Sequence, residues 1–257
     1  MVKESFEYVY KNIKQNVHLA SISGGTDVVG CLVLGNIFSD VYPGEIQGES
    51  LGIDIDIFDE KGKKVIENKK GELVVKNPFP TMPIKFWNDP GDKKFKKAYF
   101  SKYKNIWHHG DFAKITNKGG FVIYGRSDTT LNPGGVRLGT AEIYSVVEKF
   151  KEVKESIVVS QTWDNDVRII LFLVLDIPNS LNDDLIEKLK KTIRSQASPR
   201  HVPSKIIEVN DIPRTKNGKI VELAVKNIIE GNKIKNIQAL ANPNALKQYK
   251  NLKQLKT

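Results

Sequence analysis

The chain is poor in cysteine and has no long apolar run. Its one cysteine, Cys31, cannot form an internal disulfide or a zinc site, so we expect a reducing compartment. No apolar segment is long enough to span a bilayer, and the charged residues 1–5 lead into no signal-like apolar core. These features argue against a disulfide-stapled secreted domain and a transmembrane protein. We expect a cytoplasmic protein with no membrane partner.

Acidic residues are fewer than basic ones. The 40 lysines and arginines exceed the 30 acidic residues, and the formal net charge is +10. This excess is consistent with a solvated lysine-rich surface, and it also attracts an anionic ligand such as a nucleotide. The dense interior basic run of Lys93, Lys94, Lys96 and Lys97 is accompanied by no helix-turn-helix or RNA-binding motif, so nucleic acid is not an expected partner.

Strand patterns dominate the chain up to about residue 124. Strands are predicted, in chain order, at residues 17–22, 52–58, 72–76, 107–115 and 120–124. The second and third of these are separated by turn residues and predict a hairpin. Pro78, Pro80 and Pro83 then predict an irregular stretch.

The periodicity changes after residue 126. The helix signals are Thr140 as an N-cap, a capping box of Ser180 and Asp183, and a third helix over 220–229 that is opened by Gly218-Lys219 and closed by Gly231. Strands are predicted at 156–160, 167–175 and 205–209. The fold class is therefore mixed α+β: a strand-rich region at 1–127, a small α+β domain at 128–231 and a polar extension at 232–257.

Three motifs place a charged side chain beside a glycine. They are His109-Gly110-Asp111, Gly125-Arg126-Ser127-Asp128 and the segment 213–219, which ends in Gly218-Lys219. A carboxylate can accept hydrogen bonds from two ribose hydroxyls, an arginine can share them, and a loop lysine can stabilise developing negative charge. Asp111, Arg126 and Lys219 are therefore candidate nucleotide-binding residues. A strand-end turn, a surface ion pair and a helix-capping loop are the alternatives.

Two glycine-rich segments could approach a ligand. In Ser23-Gly24-Gly25-Thr26-Asp27, the threonine is a candidate phosphate contact and the aspartate a candidate magnesium ligand, with a tight turn as the alternative. The run Pro133-Gly134-Gly135 predicts a turn that also lets a long thin ligand pass close to the main chain. Adjacent His108 and His109 in a strand point to opposite faces, so they do not predict one shared metal.

Together these motifs resemble the adenylate-forming superfamily of acyl-CoA synthetases, luciferases and peptide-synthetase adenylation domains, from Ser21 to about Gly231. Within it, the chain is most similar to the acetoacetate–CoA ligase branch, on segments 78–83, 86–89, 124–128, 131–137 and 239–243. The resemblance implies ATP-dependent ligation of acetoacetate to CoA through an acyl-adenylate, with ATP, CoA and Mg²⁺ required. It also implies that 1–127 is the strand-rich end of a large adenylation domain, followed by a small mobile C-terminal domain.

The resemblance further implies a role for each motif residue. These roles are ATP or AMP binding for Gly24, Gly25, Thr26, Asp111, Arg126 and Arg137, magnesium binding for Asp27, the hinge for Asp128, CoA binding for Gly134 and Gly135, and stabilisation of charge during adenylation for Lys219. Most of the superfamily carries glutamate where Asp27 stands. The shorter carboxylate fits the acetoacetate branch and departs from the wider pattern.

The family's glycine- and hydroxyl-rich phosphate loop is not found in this sequence, nor is most of the large N-terminal domain. We therefore expect a C-terminal part of a longer enzyme, inactive alone, with a separate N-terminal half as a partner. Two other functions stay open. One is a ligase for acetate or propionate, because the acyl-pocket residues lie mostly outside this sequence. The other is a non-catalytic nucleotide-binding or partner-docking module.

Overall fold

Short strands dominate residues 1–127, the first of two units into which the chain divides. The structure is a computed structural model that describes residues 1–234 and 237–257. The elements of this unit are α1 (Lys3–Tyr8), β1 (Ser23–Gly25), β2 (Gly30–Leu34), β3 (Gly48–Glu49), β4 (Ile55–Phe58), β5 (Gly71–Val75), α2 (Lys93–Tyr99), β6 (Trp107–Ile115) and β7 (Phe121–Arg126). A single π-helical turn, Val9–Ile13, follows α1.

The larger sheet of this unit is an antiparallel meander in the order β4-β5-β6-β7. The predicted hairpin is confirmed, since β4 and β5 pair antiparallel from Ile55 opposite Val75 to Phe58 opposite Glu72. Its apolar face packs around Trp107, which is buried. Tyr99, on α2, stacks on the Trp107 ring with centroids 3.7 Å apart. The helix therefore covers β6 near the candidate site.

The smaller sheet has the order β1-β2-β3 and corrects one prediction. No strand forms at 17–22, and the glycines that were candidates for a turn form β1. A methyl group on Gly24 would lie 2.1 Å from the Gly30 carbonyl oxygen. The glycine therefore permits close pairing with β2, and the turn begins at residue 26 instead of residue 23 and runs to residue 29.

Residues 128–257 form the second unit, built on the sheet β10-β9-β8. Its elements are α3 (Thr140–Val147), β8 (Val153–Trp163), β9 (Asp166–Leu175), α4 (Asp183–Gln196), β10 (Lys205–Glu208) and α5 (Glu222–Ile229). Alternate residues of β9 face two different hydrophobic clusters: Leu171 packs with α3 and α4, and Phe172 packs with α5. The continuous apolar run 169–175 thus encodes a strand covered on both faces.

The helices begin close to, but not at, the residues that the sequence predicts. The N-cap of α3 is Gly139, whose N–H donates to Glu142 Oε2 at 3.1 Å. The N-cap of α4 is Asn182, which accepts from the Leu185 N–H at 2.9 Å, and Ser180 donates instead to the Ile177 carbonyl. The predicted capping box is therefore wrong.

The third helix, α5, begins at Glu222 rather than Ile220. The reason is that Ile220 forms an isolated bridge with Arg214, which keeps the main chain extended at that point. For the same reason Gly218-Lys219 does not open the helix. Gly218 has a φ of +79° and lies in a turn that closes with a 2.8 Å hydrogen bond to the Thr215 carbonyl.

The segment predicted as a polar extension contributes to the core of the second unit. Leu246, Tyr249 and Leu255 are buried in the cluster that also contains Phe172. The Tyr249 hydroxyl donates to the Asp211 carbonyl at 2.9 Å. Residues 235 and 236 of that segment lie outside the described residues. Within 1–234 and 237–257, no helix has both the length and the apolar character needed to cross a membrane.

Candidate functional site

Asp111 and Arg126 come together on adjacent strands. They face each other in the register of β6 and β7, and Arg126 Nη1 lies 3.3 Å from Asp111 Oδ1. The same guanidinium nitrogen donates to the His109 carbonyl at 3.0 Å. The carboxylate is nearly buried, whereas half of the Arg126 side chain is exposed. The pair can therefore present a fixed carboxylate and an accessible guanidinium to one ligand.

Gly110 makes this arrangement possible. Its φ is +85°, a region that side chains other than glycine rarely adopt. A methyl group there would lie 2.6 Å from Arg126 Nη2, so a side chain would push the guanidinium away. The glycine in His109-Gly110-Asp111 thus provides the space in which the arginine lies over the strand.

His109 connects this pair to the first glycine-rich segment. Trp107 Nε1 donates to His109 Nδ1 at 3.3 Å, so the neutral ring carries its proton on Nε2. That side of the ring is hydrogen-bonded to the Gly24 main chain and lies 3.9 Å from Asp111 Oδ2. Burial lowers the pKa of His109, although Asp111 and Asp27 oppose the shift. The ring is a neutral bridge between β6 and β1.

The Thr26-Asp27 turn lies beside this histidine. Both residues are exposed, and a methyl group on neighbouring Gly25 would lie 2.9 Å from the His109 ring. The Tyr99 hydroxyl donates to Asp27 Oδ2, and burial together with this contact raises the Tyr99 pKa. Arg126 acts electrostatically on both Tyr99 and His109. The first unit therefore gathers its predicted nucleotide-binding residues into one site.

A buried carboxylate next to the site fixes the residues that flank it. Glu72, on β5, is fully buried and accepts hydrogen bonds from Lys102, from His108 Nε2 at 2.9 Å and from the Ser127 hydroxyl. The prediction that His108 and His109 point to opposite faces is confirmed, because one ring contacts Glu72 and the other lies near Asp111. Ser127 is the last residue of the first unit, so the carboxylate fixes the main chain where that unit ends.

Lys219 lies on an ordered loop of the second unit. Its N–H donates to Thr215 Oγ1 at 3.1 Å, and its carbonyl accepts from the Thr215 N–H at 2.8 Å. Arg214 braces the loop by donating to the Gly218 carbonyl at 3.0 Å and pairing with Glu155 at 3.0 Å. The residue itself is exposed. The loop thus holds an accessible ammonium group on a braced main chain.

Gly134 and Gly135 form a separate feature of the second unit. Both have positive φ, +57° and +76°, and a methyl group on either would meet no atom within 4 Å. The Gly134 N–H donates to both carboxylate oxygens of Asp166 at 3.0 and 3.1 Å, which ties the loop to the β8–β9 hairpin. Nearby in sequence, Arg137 donates to Thr130 Oγ1 at 3.4 Å. The open space over the two glycines would accept a thin ligand.

Asp128 is the first residue of the second unit. Its charge adds to the effect of burial in raising the pKa of Glu222, which accepts a hydrogen bond from Tyr144 at 3.1 Å. The division of the chain between Ser127 and Asp128 coincides with the sequence position at which we predicted a hinge.

The chain matches known proteins along almost all of its length. Residues 142–219 match the family described as AMP-binding enzyme C-terminal domain. The chain is 55% identical to the acetoacetyl-coenzyme A synthetase of Rhizobium meliloti over 99% of its length, and 47% identical to that of Gallus gallus over 98%. Its fold matches an acetoacetyl-CoA synthetase structure from Streptomyces lividans with a TM-score of 0.89, at 38% identity over 99% of the chain.

The chain is similar along almost its whole length to the C-terminal part of acetoacetyl-CoA synthetases. It spans only 39% of the Rhizobium meliloti relative, 38% of the Gallus gallus relative and 39% of the Streptomyces lividans chain. The matched domain shows that it corresponds to a C-terminal part of the family's longer members. The resemblance and the mixed fold class deduced from the motifs are thereby confirmed.

Three contributors to the candidate site were not predicted from the sequence. Glu72 had a visible signal, a charged residue inside the apolar strand Gly71–Val75. For His109 the sequence argued only against a metal shared with His108, and its buried bridging position depends on the placement of β1. Tyr99 gave no signal, because its contact with Asp27 joins residues that lie 72 positions apart.

Proposed function

We propose that this chain is the C-terminal part of an AMP-forming acetoacetate–CoA ligase. The observation that carries the proposal is the Asp111–Arg126 pair, held in register at 3.3 Å beside the Gly24–Asp27 segment. Relatives at 55% and 47% identity are named acetoacetyl-CoA synthetases, which supports acetoacetate as the acid. ATP and CoA are the co-substrates in this proposal, and the compartment is the cytoplasm.

In the proposed complex, Asp111 accepts hydrogen bonds from the ribose hydroxyls of ATP. Arg126 shares them through its exposed guanidinium, since its other contacts already orient it over the strand. The Thr26 hydroxyl and the main chain at Gly24 and Gly25 lie on the phosphate side. These assignments use an aspartate and an arginine that the β6–β7 register fixes before any ligand binds.

A magnesium ion fits this site if it is coordinated jointly by one protein carboxylate and by the phosphates of ATP, rather than by protein groups alone. Among the residues that the structure describes, no group of three or more acidic, histidine or cysteine side chains could hold a metal. Mg²⁺ commonly binds through one carboxylate, waters and substrate phosphates. Asp27 is exposed and its Oδ2 is held by Tyr99, so the carboxylate would supply that single protein ligand. The ion would neutralise phosphate charge.

Adenylation and thioester formation would use different residues of the second unit. First, an acetoacetate carboxylate oxygen bonds to the α-phosphorus of ATP and pyrophosphate leaves. Lys219 would stabilise the negative charge that develops in this step. Next, the CoA thiolate attacks the acyl carbon and AMP leaves, with CoA passing over Gly134 and Gly135 and its phosphates near Arg137. Rotation at Asp128 would replace the Lys219 loop by the Gly134-Gly135 loop at the reacting atoms.

Activity requires the family's N-terminal part in this proposal. The chain spans 39% of its Rhizobium meliloti relative and has no recognisable phosphate loop. Alone, it is expected to give no acetoacetate-dependent exchange of pyrophosphate into ATP. Joined to the unmatched N-terminal part of that relative, it is expected to give exchange and to form acetoacetyl-CoA.

Lys219→Ala in this joined protein tests the assignment of the lysine. We expect pyrophosphate exchange to fall at least 100-fold, since one electrostatic contact to a transition state contributes about 3 kcal/mol. Thioester formation from supplied acetoacetyl-AMP should change less than threefold. Lys216→Ala, an exposed lysine of the same loop, is the control and should leave both steps unchanged.

Two results would reject the proposal. Robust exchange by the chain alone would show that no N-terminal part is needed. A joined protein that binds an acyl-AMP analogue in calorimetry but catalyses neither step would favour a non-catalytic nucleotide-binding module. Faster turnover with acetate or propionate than with acetoacetate would keep the ligase and change its acid.

A further inference from the structure

The Asp27 carboxylate lies close over the main chain of β1. A methyl group built on Gly25 would be 2.1 Å from Asp27 Oδ1 and 2.9 Å from the His109 ring. The carboxylate therefore occupies space that is open only because residue 25 has no side chain. Its charge acts to raise the pKa of His109, which agrees with its position beside that ring.

Tyr99 holds the second oxygen of this carboxylate. Its hydroxyl donates a hydrogen bond to Asp27 Oδ2, although the two residues lie 72 positions apart. No group among residues 1–234 and 237–257 donates a hydrogen bond to Asp27 Oδ1. An ionised carboxylate accepts through both oxygens, so Oδ1 keeps its lone pairs for a cation or for water.

The Tyr99 ring is itself fixed by aromatic packing. It is 8% exposed, and it stacks on Trp107 with the two ring planes 12° apart. Phe86 and Phe95 pack edge-to-face on it, with centroids 5.7 and 5.5 Å apart. The hydroxyl therefore has a defined position before any ligand binds, and the side chain that accepts from it is restrained as well.

A single carboxylate must be well oriented to contribute to magnesium binding. Mg²⁺ requires near-octahedral coordination at short distances and keeps several of its waters. Groups that hydrogen-bond a ligating carboxylate therefore have large effects on metal affinity, although they do not touch the metal. Tyr99 is in that relation to Asp27, which is exposed on its turn and would otherwise rotate freely.

We propose that Tyr99 is a positioning residue for Mg²⁺ in this protein. It holds Asp27 Oδ2 and leaves Oδ1 as the oxygen that would coordinate the ion, and Gly25 provides the space for this orientation. The tyrosine acts through the aspartate and is not itself a metal ligand. The inference rests on the proposed function, because it assumes that ATP and Mg²⁺ bind at this site.

Tyr99→Phe in the joined protein tests this role, because it removes the hydroxyl and keeps the stacked ring. The readout is the concentration of Mg²⁺ that gives half-maximal binding of a non-hydrolysable ATP analogue in calorimetry. We expect this concentration to rise about tenfold, as is common when a partner of a ligating carboxylate is lost. Affinity for AMP, measured without Mg²⁺, should change less than about twofold, because the hydroxyl acts only through the metal ligand.

Tyr103→Phe is the matched control. Tyr103 is also a buried tyrosine of the first unit, but its hydroxyl donates to the Asp59 main-chain carbonyl at 2.8 Å. Its substitution should change neither the Mg²⁺ requirement nor the affinity for AMP. In protein that carries Asp27→Asn, Tyr99→Phe should give no further rise in the Mg²⁺ requirement, because the tyrosine acts through that carboxylate.

Equal Mg²⁺ requirements in the Tyr99→Phe and Tyr103→Phe proteins would overturn the inference. So would an equal loss of AMP affinity in Tyr99→Phe, which would indicate general damage to the site, or a further rise on the Asp27→Asn background. A joined protein that shows the expected rise in Tyr99→Phe but catalyses no pyrophosphate exchange would support the positioning role and reject the proposed ligase. Exchange whose Mg²⁺ requirement is insensitive to Tyr99→Phe would support the ligase and reject the positioning role.

Discussion

At the scale of single residues, Gly110 is the position on which the Asp111–Arg126 pair depends. We expect Gly110→Ala to lower the free energy of unfolding by about 1 kcal/mol because of the positive φ. The added methyl group should also displace the half-exposed Arg126 guanidinium, at little cost in stability. AMP affinity in the joined protein should fall as well. Urea unfolding and calorimetry measure the two effects.

Gly119 separates backbone strain from the steric contact. Its φ is +79°, close to that of Gly110, but a methyl group there would meet no atom within 4 Å. Gly119→Ala should therefore cost only about 1 kcal/mol and leave nucleotide binding intact. Equal AMP affinity in the two variants would show that Gly110 does not make space for the guanidinium.

His109 gives the first unit a pH dependence of definite sign. Burial lowers its pKa below the ordinary value of 6.5, so the unfolded chain takes up a proton at a higher pH than the folded one. Stability is therefore full above pH 6.5 and is lost as the pH falls through the lowered pKa. Urea unfolding at pH 7.5 and 5.5 should show this loss. In His109→Gln the change should be smaller, and an equal change would contradict the assignment.

At the scale of elements, the start of α4 distinguishes two possible caps. Asn182→Ala should cost the second unit about 1 kcal/mol, because the Leu185 N–H loses its acceptor. Ser180→Ala removes a hydroxyl that bonds the Ile177 carbonyl outside the helix, and should cost less. Thermal unfolding of both variants measures the difference. The reverse order would restore the serine as the cap.

At the scale of the whole molecule, each unit has its own hydrophobic clusters. The β8–β9–β10 sheet is covered on both faces by helices and turns from residues 128–257. We expect those residues, expressed alone, to unfold cooperatively and to give dispersed amide NMR signals. Residues 1–127, in which six large apolar side chains are more than four-fifths exposed, are the comparison and should associate when isolated. A molten second unit would contradict this expectation.

The sequence predicted correctly those strands and turns that depend on the local residue pattern. The bounds of β6 were predicted to the residue, and the β4–β5 hairpin followed from alternation and turn residues. The strand predicted at 17–22 is absent, and β1 forms instead at Ser23–Gly25, where Gly24 approaches the Gly30 main chain closely, a contact that alternation does not encode. Helix starts were displaced where a neighbouring asparagine or bridge competed with the expected cap.

In the candidate site, too, local sequence pattern predicted some residues and missed others. Asp111 and Arg126 could be paired from two strand motifs, and the structure places them in contact, although their binding role stays a prediction. Glu72, His109 and Tyr99 could not be assigned, because their partners reach them through burial and sheet order rather than through spacing along the chain.

The hydrogen bond from Ser127 to Glu72 lies wholly within the first unit. The last residue of that unit is anchored on a charge inside its own core, and the next residue already belongs to the second unit. With Asp128 as the proposed hinge, a few glycines inserted after Ser127 should slow turnover of the joined protein while leaving both units folded.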